Sequence, residues 1–255
     1  MRLKLIACKA LFRELSYLAA LSGNSVDITW MRQAYHNHPE QLRTWLQREI
    51  DLIESGEDPH TILLDGGDGQ EGVPGDFDAI LLGYGLCSNA VTGLTARRHR
   101  LVIPRAHDCI TLFLGSKERY AALFRELPGS FWYTASWIEN TQMPGQASHD
   151  RQVKRYEEAG YDEETIEYLL TETGGLNNYK RAAYIAMPYL DNEKYARVTR
   201  EAADFFGWQY HEVQGDMGLM GRFLSGDWNE EDFLVLEPGE TAAQSVDDKI
   251  IAKKL

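Results

Sequence analysis

The chain has 255 residues, 44% of them apolar, and a formal net charge of -13 from 26 Lys and Arg against 39 Asp and Glu. That length suffices for one large core or two packed lobes, and the negative charge excludes a general nucleic-acid or anionic-membrane surface, which needs a basic face. No apolar run reaches the length of a membrane span.

The apolar start LIACKALF is interrupted by Lys9 and Arg13, so it does not read as a secretory signal. The three cysteines are odd in number and widely spaced, which is no disulfide framework. The expectation is a cytoplasmic protein with thiols available.

Leu3 to Ala7 reads as a short apolar strand with Cys8 at its end. Leu11, Leu15 and Leu18 follow at helical spacing, before Gly23. Val26 to Trp30 is a second strand. Pro39 then opens a long helix with Leu42, Leu46, Ile50 and Ile53 as its apolar stripe, ending at Gly56. Residues 65–76, DGGDGQEGVPGD, read as a connector, because no Lys-Ser/Thr follows and the carboxylates would repel phosphate.

Asp78 to Gly83 is the third strand, continuing into a loop that holds Tyr84, Gly85, Cys87 and Asn89. A basic turn follows, in which His99 reads as solvated. The fourth strand, Leu101 to Ile103, runs into Pro104, which cannot continue a central ladder. Arg105, His107, Asp108 and Cys109 come next, and such folds place their sites directly after strands. Between Ala96 and Arg119 there are six Lys or Arg against two acidic residues, a positive island suited to a small anionic ligand.

Phe131 to Ala135 is a fifth strand. Its aromatic run reads as core plus one exposed face, with an aromatic wall beside a ligand as the alternative. From Ile138 to Asn178 the pattern is polar and helical, with Asp162 as a cap. Alternation resumes with strands at Ala182 to Met187, Trp208 to Val213 and Phe233 to Leu236. The tail from Gln244 reads as peripheral.

Repeated strand–helix units predict an α/β fold, a Rossmann-like arrangement of mostly parallel sheet with flanking helices. The organisation reads as an α/β lobe at 1–137 carrying the cysteines, a helical excursion or joint at 138–178, and a second, related α/β lobe at 179–255. One continuous domain is the alternative.

Cys8, Cys87 and Cys109 each follow a predicted strand, so a parallel sheet would bring three distant thiols to one edge. Three thiolates without a fourth suit zinc with an open position, or an iron–sulfur cluster with one iron left for an outside ligand. Packing of buried small residues is the bland alternative. In the functional reading His107 and Asp108 are the acid/base or supporting groups, and Arg105 is the anion clamp, with Tyr84 and Asn89 beside the substrate. A metal-free thiol enzyme would instead use Cys109 with His107.

The segments IACKALFREL, GYGLCSNAVTGL and PRAHDCITLFLGSKERY resemble the bacterial and archaeal domain-of-unknown-function family numbered sixteen thirty-eight. The likeness extends through FWYTASWIE and GDWNEEDFLVLEPGE, and departs at Lys9 and at Ala90, where a glycine is expected. It implies a setting in one-carbon metabolism beside corrinoid-dependent methyltransferase systems. A docked corrinoid or methyltransferase protein is then a possible partner, with the acidic segment 139–172 as its contact surface. All three cysteines lie within the quoted motifs.

Overall fold

The computed structural model describes residues 1–33, 37–60, 63–64, 73–74, 76–87, 89–173 and 175–254. They form two compact units, Met1–Lys117 with Asp216–Leu255, and Glu118–Gly215. The connector read at 65–76 lies, apart from Val73, Pro74 and Asp76, outside the described residues.

In chain order the first unit begins with β1 (Arg2–Cys8), a 3-10 turn (Lys9–Leu11), α1 (Phe12–Leu21), β2 (Ser25–Met31) and α2 (Pro39–Ser55). The antiparallel pair β3 (Leu63–Leu64) and β4 (Val73–Pro74) follows, then β5 (Ala79–Gly83), β6 (Arg100–Pro104) and α3 (Cys109–Leu114). The second unit carries α4 (Lys117–Glu126), β7 (Ser130–Tyr133), α5 (Ala135–Asn140), α6 (Gln146–Glu158) and α7 (Glu163–Tyr168). Beyond a π-helical turn and a 3-10 turn come β8 (Arg181–Ala186), α8 (Glu193–Phe206) and β9 (Gln209–Gln214). The chain then returns to the first unit with α9 (Gly218–Ser225), β10 (Phe233–Leu236), β11 (Ala242–Gln244) and β12 (Ile251–Lys253).

The first unit's main sheet runs β10–β6–β5–β1–β2. All its pairings are parallel except β10 with β6. β1 lies between two partners, so Leu3, Leu5, Ile6 and Ala7 are all sealed from solvent. A strand buried on both faces reads as a mostly apolar run, interrupted here only by Lys4, whose charge is paired inside the core. The expected parallel α/β architecture is therefore present. Because β1, β5 and β6 are parallel neighbours, their C-terminal ends share one edge.

Three features depart from the sequence reading. The strand at Phe233–Leu236 joins the first sheet, antiparallel to β6, and does not extend the second unit's sheet. His99 is only 6% exposed. Its Nε2 lies 3.0 Å from Asp76 Oδ1 and its Nδ1 3.5 Å from Glu54 Oε1, while Glu54 also accepts the backbone N–H groups of Arg97 and Arg98. The tail is not merely peripheral either, since Ile250 and Ile251 are buried and β12 pairs with β11.

The second unit has its own parallel sheet, β7–β8–β9, with α8 packed on β8 and β9. Tyr195, Ala196, Thr199, Ala202 and Ala203 are the buried face of α8. Small residues there let the helix approach Tyr133 and Tyr184, whose hydroxyls bond Pro144 O (3.1 Å) and Asn192 Oδ1 (2.8 Å). A buried phenol needs such a partner, since an unmet hydroxyl in an apolar core costs about 1–3 kcal/mol.

Inside β1, Lys4 is fully buried and pairs with Asp27 Oδ1 (3.0 Å) and Asp58 Oδ2 (2.7 Å). Desolvating these charges makes the triad of little net benefit while intact, but removing one partner strands the others. Lys4→Met is expected to destabilise the chain by about 3–5 kcal/mol in urea unfolding. A loss below about 1 kcal/mol would mean that water reaches the two carboxylates.

Candidate functional site

The C-terminal edge of the first sheet is built by three short chain segments. β1 ends on Cys8, whose sulfur accepts the N–H of Ala10 from the turn that follows. β5 ends on Gly83 and passes into Tyr84–Cys87. β6 ends on Pro104 and passes through Arg105–Asp108 into α3, of which Cys109 is the first residue.

Two of these loops are stitched together through the backbone. Leu86 N–H donates to Ala106 O at 2.7 Å, and Cys87 N–H donates to His107 O at 3.1 Å. Gly85 makes the contact possible, because a Cβ there would lie 2.8 Å from Asp108 N and 2.9 Å from Ala106 O. The other end of the Cys87 loop is held by α2, where Arg43 Nη2 donates to Asn89 O at 2.8 Å and to Thr92 Oγ1 at 3.2 Å.

Cys87 itself adopts φ 45°, and Asn89 φ 69°. Left-handed backbone at a non-glycine costs about 1–3 kcal/mol and clusters at ligand-binding positions. Ala90, where the resemblance leads one to expect glycine, is fully buried and is not among the positive-φ residues, so alanine fits.

Cys8, Cys87 and Cys109 are all free thiols, and they lie within electrostatic reach of one another. Burial pushes Cys8 up to about 11. Burial, then the Cys8 and Asp108 charges, push Cys87 up to about 12. Cys109 is raised well above its ordinary value by burial first and then by Asp108, Cys87 and Cys8. At neutral pH these are protonated thiols. Among the described residues, no three or more His, Cys, Asp or Glu side chains are grouped so that they could hold a metal ion.

Tyr84 sits in the same field. It is 3% exposed, and its hydroxyl finds no hydrogen-bond partner among the described residues. Burial and then the charges of all three cysteines drive its ionisation well above the ordinary tyrosine range. The Asn89 Oδ1 is likewise buried without a partner.

The remaining expected site residues have other surroundings. Asp108 is the N-cap of α3, accepting from Ile110 N (3.0 Å) and Thr111 N (3.4 Å), which fixes where the Cys109 helix starts. His107 is exposed. Arg105, expected as an anion clamp, is 7% exposed and serves the fold: Nε donates to Glu230 O (2.8 Å), and Nη1 to Lys249 O (3.1 Å) and Ile251 O. The positive island is likewise engaged within the chain, with Arg100 on Glu237, Lys117 on Glu231 and Arg119 on Gln214 O.

Fold and edge together define an α/β protein with a cluster of one buried and two half-buried thiols at the C-terminal ends of parallel strands. Residues 30–224 match the family described as "Protein of unknown function (DUF1638)", and the chain belongs to that family. The match includes Cys87 and Cys109, whereas Cys8 precedes it. No curated protein and no solved structure matches the chain. Among the described residues no helix is long and apolar enough to cross a membrane.

The raised thiols make a labelling prediction. A pKa moved from 9.0 to about 11 cuts the neutral-pH thiolate fraction about 100-fold. Iodoacetamide should therefore modify Cys8 at pH 8 far more slowly in the folded, metal-free chain than in urea, with the rate climbing as pH rises. The unfolded thiols ionise first, so stability should fall as pH climbs past 9. Equal labelling rates folded and unfolded would show that the cluster is open to water.

Arg105→Met should cost about 1–3 kcal/mol, because the buried carbonyl of Ile251 and the partly buried ones of Glu230 and Lys249 lose their donor. Proteolysis should then cut first in the residues around 246–253. Unchanged stability with unchanged proteolysis would mean that the C-terminal strand is held without it.

Proposed function

We propose that Cys8, Cys87 and Cys109 form a three-thiolate site for a metal centre that keeps one position open to a small molecule. The observation that carries this reading is the Tyr84 hydroxyl, buried without a partner beside one buried and two half-buried thiols. A packing role would favour phenylalanine there, since an unmet buried hydroxyl costs about 1–3 kcal/mol. A ligand at the open position would give that hydroxyl its partner.

An iron–sulfur cluster suits the edge better than zinc. Thiolates on one zinc lie about 2.3 Å from it and so crowd within roughly 4 Å of one another. A cluster gives each thiolate its own iron and tolerates wider spacing. The side chains as they stand are not grouped around a single ion. Such a centre supplies Lewis-acid or redox chemistry at its open position, while the chain's own groups bind, orient and exclude water. The raised thiol pKa values argue against a metal-free nucleophile, because the thiolate is the reactive form.

Uptake must displace the thiol protons, so affinity should rise with pH. The chain purified without oxygen and reconstituted with iron and sulfide should absorb in the visible range. Each of Cys8→Ser, Cys87→Ser and Cys109→Ser should lose most of the iron, while Tyr84→Phe keeps it. Colourless protein with one zinc equivalent would replace the cluster by a Lewis-acid site. A chain that retains neither metal after reconstitution, or one whose metal content is unmoved by Cys8→Ser, would sink the three-thiolate reading.

A further inference from the structure

The second unit holds a cleft of about 690 Å³ at the edge where β7, β8 and β9 begin. We infer that this cleft binds a flat heteroaromatic ring carrying an anionic group, a nucleotide-like small molecule. Its volume falls within the range of about 300–1,000 Å³ usual for small-molecule sites.

One wall is a ladder of rings. Phe206 stacks on Trp208 with centroids 4.6 Å apart and planes at 22°. Phe131 lies on the same indole at 6.3 Å and 19°, and Tyr179 meets Phe131 edge-on at 5.0 Å. All four rings line the cleft, and each stays only half-buried despite its neighbours. Parallel faces at the rim of a void are a stacking platform, worth about 1–3 kcal/mol to a flat ring.

The polar lining narrows the ligand class. The amides of Gln142 and Gln152 each offer both donors and acceptors, which suits the mixed edge of a heteroaromatic ring, while Asn177 Nδ2 already donates to Thr171 O. Lys180 and His149 also line the cleft, and no Asp or Glu does among the described residues. Asp150 lies 3.4 Å from His149 Nδ1, so Lys180 is the positive charge of the lining, in a chain whose net charge is -13. That charge disfavours a cation over the rings and favours an anionic tail beside the exposed Lys180.

Equilibrium dialysis of the full chain against adenosine monophosphate and flavin mononucleotide, with adenosine and riboflavin as tailless counterparts, tests this. At least one tailed probe should bind saturably with Kd below about 1 mM, and its tailless counterpart about tenfold or more weakly. Lys180→Glu, on the surface, should weaken the tailed probe about tenfold while leaving the tailless one unchanged. Trp208→Leu should weaken both, with circular dichroism reporting that the fold is kept. No saturable binding of any probe at about 1 mM, or binding that neither substitution moves, would overturn the inference. Neither substitution touches the thiols, so metal content reports separately on the first unit's site.

Discussion

The arrangement at the sheet edge depends on one close contact, the backbone pairing of the loop after β5 with the loop after β6. Two hydrogen bonds, from Leu86 and Cys87 to Ala106 and His107, hold the loops in register. Each contributes about 0.5–1.5 kcal/mol net, enough to offset the left-handed backbone at Cys87. The contact has no room for a side chain at position 85, where a Cβ would reach within 2.8 Å of Asp108 N. Any other residue there would push apart the two segments that carry Cys87 and Cys109. Cys8 needs no such device, because β1 is already the parallel neighbour of β5.

Charge in the first unit is otherwise disposed of by pairing. Lys4 is flanked by two aspartates, His99 by Glu54 and Asp76, and Arg105 by backbone carbonyls. The thiol cluster is different in kind. Burial first, and then the charges of Asp108 and of the neighbouring thiols, holds Cys87 and Cys109 in the protonated form. Such a cluster stays neutral at neutral pH, and its thiols are poor nucleophiles there because the thiolate is the reactive form.

The parallel sheet was legible in the sequence because its central strands are mostly apolar runs, and because Pro39 and Gly56 punctuate α2. The placing of cysteines at three strand ends was legible for the same reason: parallel topology fixes which ends meet. What Arg105 does was not legible, since its acceptors lie 125 to 146 residues further along. His99 looked solvated amid arginines, and only the fold brings Glu54 and Asp76 to it. The aromatic cleft was legible only in part, since the Phe131 run offered an aromatic wall as an alternative but nothing joined Tyr179 and Trp208 to it. Phe131, Tyr179 and Trp208 meet through the register Phe131↔Ala182↔Tyr210 at the strands' starts, the edge opposite to where α/β sites are sought.

The second unit is an insertion into the first, and the first unit shows how such an insertion is accommodated. Its chain leaves at Lys117 and resumes at Asp216. Those points are adjacent within the first unit. Asp216 N–H donates to Phe113 O at 2.9 Å, and a Cβ on Gly115 would lie 2.7 Å from the Asp216 side chain. Gly115 also ends α3 with φ 84°, a left-handed cap that turns the chain at this point. Insertions are tolerated where entry and exit lie close together, because the host closes its own hydrogen bonds around them. Each unit here has its own parallel sheet and its own buried side chains. The thiol edge is therefore assembled wholly from segments of the host, and the aromatic cleft wholly from segments of the insert. Substitutions among the thiols and among the stacked rings therefore fall in different units, each with its own sheet and its own buried side chains.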